Sequence, residues 1–380
     1  MKNPRFYLLA IGLLSLSMLA SAAWTTKRLS DNEGDTLHAC SAISGTNVYV
    51  AWCDDTPGND EIYFTMSANG GATWKSPQRL TFDAEYSMDG AVAASGANVY
   101  VVWEDMRTGN GEIYFRKSSD YGKSWHPIQR LTYTSSRSWA PAIAVQGADI
   151  YVAWVDYTLT PGFAEIYLKK SPDGGATWQP SMRLSYTANE SREPAIAAGG
   201  GANVHVVWAD RTPLDYEIYF RKSTDGGATW QAVRQLTDNE GESWNPRIAV
   251  EGANLFVVWW DASTPGNDEI YFIKSDNGGA TWRTATRLTY KAGISTEPDV
   301  AASGANVYVA WTDWFPGNPE IYFRKSADSG ATWETAKRLT NRDLSSYSPT
   351  VAVSDANVYV AWHDNFLGGG PDIYIKYSPL

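Results

Sequence analysis

The sequence is poor in cysteine, in histidine, in long apolar runs and in net positive charge, and most of these shortages exclude something. Past residue 19 there is no stretch of about 18 apolar residues, the length that a membrane-spanning helix needs. Acidic residues outnumber basic ones, 42 against 31, for a net charge of −11. Such a chain carries no electrostatic footprint for nucleic acid or an anionic membrane surface. The same balance disfavours a strongly anionic ligand unless basic residues converge locally. No segment shows the 3.6-residue apolar period of an amphipathic helix. What the chain has in excess is aromatic, 18 Trp and 22 Tyr, a usage suited to β-rich, turn-rich proteins.

The one apolar run lies at the start. Lys2 and Arg5 precede Phe6 to Leu19, and Ala20-Ser21-Ala22 is a small-x-small cleavage site. This pattern predicts a secretory signal over 1–22, with no lipid-anchor cysteine at the junction. Removing Lys2 and Arg5 with no acid takes the net charge from −11 to −13. An exported, secreted or periplasmic protein of residues 23–380 is expected. In that oxidising setting the two cysteines, Cys40 and Cys53, invite a disulfide.

Self-similarity then organises the chain. "STDGGATW" at 223–230 has close copies at 67–74, 118–125, 171–178, 275–282 and 326–333. Their tryptophans, Trp74 to Trp333, are spaced by 51, 53, 52, 52 and 51 residues, and Trp24 in "AAWTTKRLS" extends the series by one. An apolar strand of the form "VYVAW" ends at Trp52, Trp103, Trp154, Trp208, Trp259, Trp311 and Trp362. Each unit of about 50 residues holds four strand signals separated by Gly, Asn and Asp turns. Seven such units predict an all-β, seven-bladed propeller of four-stranded antiparallel blades. The chain begins with a fourth strand and stops after a third, so the N-terminal strand is expected to complete the last blade and close the ring.

Two further expectations follow from the hairpins. Glu61 and Arg79, Glu112 and Arg130, Glu165 and Arg183, Glu269 and Arg287, and Glu320 and Arg338 are each 18 apart, which sets them across the third and fourth strands. Asp372 and Arg28 make the equivalent pair across the closure, and the fourth blade departs, with Gln235 facing Glu217 and the cation moved to Arg234. The turn at 44–47 places Cys40 nearly opposite Cys53, so a disulfide between them is predicted.

The repeated "S-x-D-x-G-x-T-W" resembles the Asp-box, or BNR repeat, of sialidases and related propellers, and the resemblance covers all seven units. It implies a turn between third and fourth strands, on the face away from the active site. The residue chemistry agrees: Ser and Asp satisfy turn amides, Gly supplies positive φ, and Trp packs between sheets. Asn69 and Asn277 stand for the Asp in two copies, which a hydrogen-bonding role tolerates and an acid–base role does not. The octapeptide is a pin.

Function must therefore use the positions where the blades differ, those flanking the repeat's usual proline: "LHAC" (37–40), "MDGA" (88–91), "WAPA" (139–142), "REPA" (192–195), "WNPR" (244–247), "TEPD" (296–299) and "YSPT" (347–350). Trp139, Trp244 and Tyr347 can stack on sugar faces, and Arg192 and Arg247 can hold a carboxylate bidentately. Asp89, Glu193, Glu297 and Asp299 supply carboxylates. The alternative is that these residues only plug and solvate the channel. Sialidase activity, as the resemblance implies it, needs three arginines on a carboxylate, a Tyr nucleophile with a Glu, and an Asp. The family's F/Y-R-I-P signature is absent, although Arg107, Arg137, Arg192, Arg211, Arg247 and Arg342 all fall on the same face. His38 and His363 near Asp89 offer a metal site, against which stand two ordinary polar histidines. The acidic loops at 54–61 and 261–269 offer Ca²⁺ sites, against which stand Asx turns. The Asp of each W-x-D, present in every blade, suits a loop-fixing acceptor.

The expectation is a monomeric binding or scaffolding module for a glycan or a cell-surface protein, with ligand contacts from Trp139, Arg192, Glu193, Trp244, Arg247, Glu297 and Tyr347. No metal or cofactor and no nucleic-acid partner are expected. The alternative is an exo-sialidase or other glycoside hydrolase acting on an anionic sugar at the same face.

Overall fold

The second strand of each unit carries unbroken apolar sequence because both of its faces are covered. In the computed structural model, residues 23–31, 34–160, 163–187, 189–211, 215–263, 266–315, 317–341, 344–365 and 370–380 are described. The predicted signal at 1–22 and Arg342 lie outside them. Val48, Val50 and Trp52 pack with Tyr359, Ala361, Ile373 and Ile375 of the preceding blade. Tyr49, Ala51 and Cys53, on the other side of the same strand, pack with Val99, Val101 and Trp103 of the following blade. Parallel-sheet cores read as continuous apolar runs for this reason, and stacked blades do so too.

Seven four-stranded antiparallel sheets form the molecule. The first blade is made by Thr36–Ser44, Asn47–Asp54, Glu61–Ser67 and Gln78–Arg79, innermost to outermost. The last is made by Ser346–Val353, Asn357–Asp364 and Asp372–Pro379, and Thr25–Arg28 supplies its fourth strand, Thr25 opposite Tyr377 and Arg28 opposite Tyr374. The ring is therefore sealed by its own N-terminal strand, as expected. The fourth strands are shorter than the sequence suggested, two paired residues in each of the other six blades. In the third blade the second and third strands are longer, Asp149–Thr160 and Phe163–Ser171, with Thr160 opposite Phe163.

The octapeptide turns sit between third and fourth strands. Asp173 Oδ1 accepts from the Thr177 amide at 2.8 Å and Oδ2 from the Thr177 hydroxyl at 2.6 Å, while Ser171 Oγ accepts from the Gly175 amide at 2.8 Å. Hydrogen bonds from Thr177 hold the Asp173 carboxyl down at about 2. Asn69 and Asn277 keep the same acceptor role toward Thr73 and Thr281. Each turn also grips its neighbour: Trp125 meets Phe64 edge-on at 5.0 Å and Trp178 meets Phe115 at 5.1 Å. Gly122, at φ 81°, lies so close to the Phe64 ring that a Cβ there would approach it to 2.6 Å. The motif is an inter-blade pin.

At the opposite end of each blade the W-x-D aspartate accepts from the Trp two residues before it, at 3.2 Å for Trp52 and Asp54 and 2.9 Å for Trp103 and Asp105. The Glu–Arg pairs form at 2.5 Å (Glu61–Arg79) and 2.7 Å (Glu112–Arg130), and also join Glu165–Arg183, Glu269–Arg287 and Glu320–Arg338. Arg28 bridges Asp372 at 2.6 Å. The contact is diagonal, since Arg79 is registered against Tyr63, and the carboxylates are buried.

The predicted disulfide is not formed; Cys40 and Cys53 are free. The ladder from the turn already sets Cys40 opposite Ala51, two residues short of Cys53, and a bulge between Leu37 and Cys40 then sets Cys53 opposite Leu37. Cys40 instead donates to the Ala51 carbonyl at 3.5 Å. Burial pushes the Cys40 thiol up to about 12 and Cys53 up as well.

Candidate functional site at the mouth of the channel

That bulge recurs in all seven inner strands, and it shapes the site. His38, Asp89, Ala140, Glu193, Asn245, Glu297 and Ser348 occupy equivalent positions with φ between 48° and 54°. Such left-handed residues cost energy for anything but Gly or Asn/Asp. Here each is fixed by the inner-strand ladder that resumes beside it. The first strands together line an axial cavity of about 600 Å³. The variable tetrapeptides singled out in the sequence are its wall.

The bulge separates two layers. In the inner layer the carboxylates staple neighbouring blades. Glu193 accepts from the Asn245 amide at 2.7 Å, Glu297 from the Ser348 amide at 2.9 Å, and Asp299 from the Val351 amide at 2.7 Å. Asp89 contacts His38 Nδ1 at 3.3 Å, which raises the imidazole's proton affinity. Ser41 and Thr350 hydroxyls meet at 3.0 Å across the ring closure. Burial raises Glu193 and Asp299, and the Arg247 guanidinium opposes the rise in both. Arg247 itself donates to the Pro246 carbonyl at 3.0 Å. Glu193, Arg247 and Glu297 thus belong to the channel lining.

The outer layer is built from residues one step before the bulge and their partners across the ladder, the middle residues of W-x-D. These pairs include Met88 with Glu104, Trp139 with Val155, Arg192 with Ala209, Trp244 with Trp260, and Tyr347 with His363. From the second to the fifth blade they join into one arc. Arg137 grips the buried Glu104 through Nε at 2.6 Å and Nη2 at 2.8 Å. Trp139 lies beside both Arg137, 5.3 Å from guanidinium carbon to ring centre, and Arg192, at 5.6 Å. Arg192 Nη2 donates to Glu190 at 2.6 Å, and Glu190 also accepts from Tyr216 at 2.7 Å and Tyr157 at 3.3 Å. The Tyr216 ring continues onto Trp244 at 3.7 Å, and Trp244 onto Trp260 at 6.4 Å.

Among the predicted site residues, then, Trp139, Arg192 and Trp244 share the arc. Tyr347 belongs to the seventh blade, against Trp314 and His363, and the other three line the channel below. Glu104, Tyr157, Glu190, Tyr216 and Trp260 were not singled out in the sequence. A readable signal existed for two of them: the middle residue of W-x-D runs Cys53, Glu104, Val155, Ala209, Trp260, Thr312, His363, a second variable ring.

The electrostatics set what the arc can do. Burial pushes Glu190 up, but hydrogen bonds from Arg192 and Tyr216 outweigh it and hold the carboxyl below its usual range. Tyr216 is pushed well up, by burial first and then by Glu190. A phenol made less acidic beside a weakened base is a poor nucleophile. Among the described residues only Arg137 and Arg192 of the face's arginines flank one point, the Trp139 ring, and three of them are engaged by carboxylates. Arg107 is bound to Asp105 and Asp83, Arg137 to Glu104 and Arg192 to Glu190. Arg247 is in the lower layer. Among the described residues Arg137, about half exposed, makes no hydrogen bond through Nη1, whereas Arg192 Nε and Trp139 Nε1 are buried without a partner. His363 is buried and lowered to about 4, and among the described residues no group of three or more His, Cys, Asp or Glu stands together as a metal site would need.

No family model matches the sequence and no curated protein matches it. Solved structures do resemble it in fold. A PL25 ulvan lyase, a polysaccharide lyase, has a TM-score of 0.66 at 13% identity, over 91% of this chain and 94% of that one. The sialidase of Trypanosoma rangeli has 0.54 at 12%, over 94% of this chain and 60% of its own. The endosialidase of phage phi92 has 0.54 at 12%, over 94% and 69%. At these identities the likeness is one of fold. No helix among the described residues is long and apolar enough to cross a membrane.

Proposed function

We propose that this protein is an exported propeller that binds carbohydrate at the mouth of its channel, and that an acidic sugar is the unit recognised. The observation that carries this reading is the indole of Trp139 beside two guanidinium groups, at 5.3 and 5.6 Å, of which that of Arg137 is about half exposed. A carboxylate accepting from Arg137 and Arg192 would set the sugar ring along Tyr216, Trp244 and Trp260. Propellers of similar fold include an ulvan lyase bound to a GlcA(1-4)Rha3S unit, an endosialidase and a sialidase. That likeness supports the class of ligand and not a reaction.

The test is a glycan array probed with residues 23–380, followed by titration of the best ligand against Arg192→Ala and Trp139→Ala. Selective binding of uronate- or sialate-bearing glycans, weakened about tenfold or more by either change, is expected. Binding that ignores both changes overturns the assignment. A hydrolase or lyase is the second reading: the Tyr216–Glu190 pair, 2.7 Å apart, puts a phenol and a carboxylate in the arc, although Tyr216 is a poor nucleophile in this resting arrangement. Turnover of a bound glycan that Tyr216→Phe abolishes, with binding retained, would establish it.

A further inference from the structure

A second feature of the molecule lies outside the mouth and does not depend on it. Where the chain leaves the fourth strand of one blade for the first strand of the next, four blades carry an aromatic residue at one equivalent position. Phe82, Tyr133, Tyr186 and Tyr290 are 63 to 74% exposed, among the most exposed large apolar side chains described. The fold does not require them, because the equivalent residues are Asp238, Asn341 and Asp31 elsewhere in the ring. Each ring is nonetheless held in place by an arginine of its own blade. Arg79 lies 5.0 Å from Phe82, Arg130 4.6 Å from Tyr133, Arg183 4.8 Å from Tyr186 and Arg287 5.0 Å from Tyr290. Those arginines are neutralised by the buried glutamates already described.

The next blade brings a second cation to the same spot. Arg116 donates to the Leu80 carbonyl, Arg221 to Leu184 and Arg324 to Leu288, each at 2.6 Å, and Lys169 donates to Leu131 at 2.6 Å. Arg221 also stands 5.7 Å from the Tyr186 ring. These four cations pair with carbonyls and with no carboxylate among the described residues. Burial accordingly lowers all four, opposed only by the Tyr186 phenol at Arg221 and the Tyr290 phenol at Arg324 and by no carboxylate. Aromatic and cation also change together. At the junction after the fourth blade the corresponding residues are Asp238 and Ile273, and at the ring closure they are Asp31 and Thr65. The junction after the sixth blade keeps Lys376 but has Asn341 in place of the ring.

From this pairing we infer that the rim carries four equivalent anion-binding clefts, at the junctions after the first, second, third and fifth blades, that take the acidic sugar units of one polyanionic polysaccharide. The exposed ring supplies a stacking face for the pyranose, and the uncompensated cation supplies the partner for its carboxylate or sulfate. Three of the clefts are consecutive, so one chain can engage several weak sites and gain affinity from their number. An acidic protein needs such local convergence of cations to hold an anion at all.

The experiment is affinity electrophoresis of residues 23–380 through native gels containing alginate, dextran sulfate or unmodified dextran, at low salt. Retardation by alginate, dextran sulfate or both, and not by unmodified dextran, is expected. Retardation by only one of them assigns the anion as carboxylate or sulfate. Each single change among Phe82→Ala, Tyr133→Ala, Tyr186→Ala and Tyr290→Ala should weaken binding roughly three- to tenfold, and the fourfold variant should abolish retardation. These side chains are exposed, so the variants should melt where the parent does. Installing a fifth cleft through Asp238→Tyr with Ile273→Arg should strengthen retardation. Trp139→Ala is run beside them to dismantle the mouth. The inference is overturned if neither anionic polymer retards the protein, or if unmodified dextran retards it equally. It is also overturned if the fourfold variant migrates as the parent does, including the case in which only Trp139→Ala abolishes retardation.

Discussion

The fourth blade contains a natural transposition, and reversing it should stabilise the protein. Every other complete hairpin of the series places Arg opposite the third-strand Tyr, as in Arg79 with Tyr63, whereas here Gln235 faces Tyr219 and Arg234 faces Phe220. Glu217 is left buried without a guanidinium; it accepts from the Asn239 amide at 2.9 Å, and burial raises its pKa. Gln235→Arg restores the pair. Two charges about 4 Å apart at an effective dielectric near 20 gain about 4 kcal/mol. Desolvating and ordering the new side chain costs about 2 kcal/mol, leaving a net gain of about 2 kcal/mol. With about 2.1 cal/mol/K of unfolding entropy per residue, a chain of 380 residues should melt about 2–3 °C higher. Adding Arg234→Gln completes the exchange and gives Trp282 Nε1, which has no partner among the described residues, the acceptor that Gln78 offers Trp125 at 3.3 Å.

The pH dependence has a definite sign. Because folding raises the Glu217 pKa, its contribution is favourable at low pH and is lost as pH rises from the ordinary carboxylate range through the folded value. The substituted arginine removes that loss. The gain in melting temperature should be near zero at pH 4 and reach its full size by pH 7.5, measured by calorimetry on parent and variant at matched ionic strength. A variant that melts no higher at pH 7.5, or whose gain is the same at both pH values, refutes the reasoning.

Two further outcomes are expected, besides those tested at the mouth and the rim. Cys40 and Cys53 are free, Cys53 buried and Cys40 half-buried on the cavity wall with its thiol pKa pushed up to about 12; Ellman's reagent should react slowly at most in the native protein and find two thiols after denaturation, and dithiothreitol should leave the melting temperature unchanged. Arg28→Ala should strand the buried Asp372 at the ring closure, costing about 2 kcal/mol and lowering the melting temperature by about 2–3 °C. A loss under 0.5 °C would mean that the closure bridge behaves as an ordinary surface ion pair.

Much of this architecture is legible in one dimension. The spacing of Trp74 to Trp333 fixes the number of blades, and the 18-residue interval of Glu and Arg fixes the outer hairpin of five of them. Both are local: each partner lies within one repeat, and a period of about 50 residues repeats the same test several times. The W-x-D aspartates were likewise identified as loop-fixing acceptors, because an identical residue in every blade has a role every blade shares. The cysteines show where such reasoning fails. Nearly opposite is not paired: the ladder from the turn at 44–47 sets Cys40 against Ala51, two residues short of Cys53, and the bulge at His38 carries Cys53 on to Leu37.

The sequence by itself determined the ring, its seven sectors, its closing strand and the positions free to vary, since these follow from periodicity and from turn and strand chemistry within single repeats. Only the tertiary structure decided how the variable residues sort. One bulge per inner strand sends Glu193, Arg247 and Glu297 into the channel and leaves Trp139, Arg192 and Trp244 in an arc completed by Glu190 and Tyr216 from other segments. The rim cations, too, meet their aromatics only across blade boundaries. Contacts between neighbouring repeats depend on register and on how the sheets stack, and neither is written in the order of residues within a single repeat.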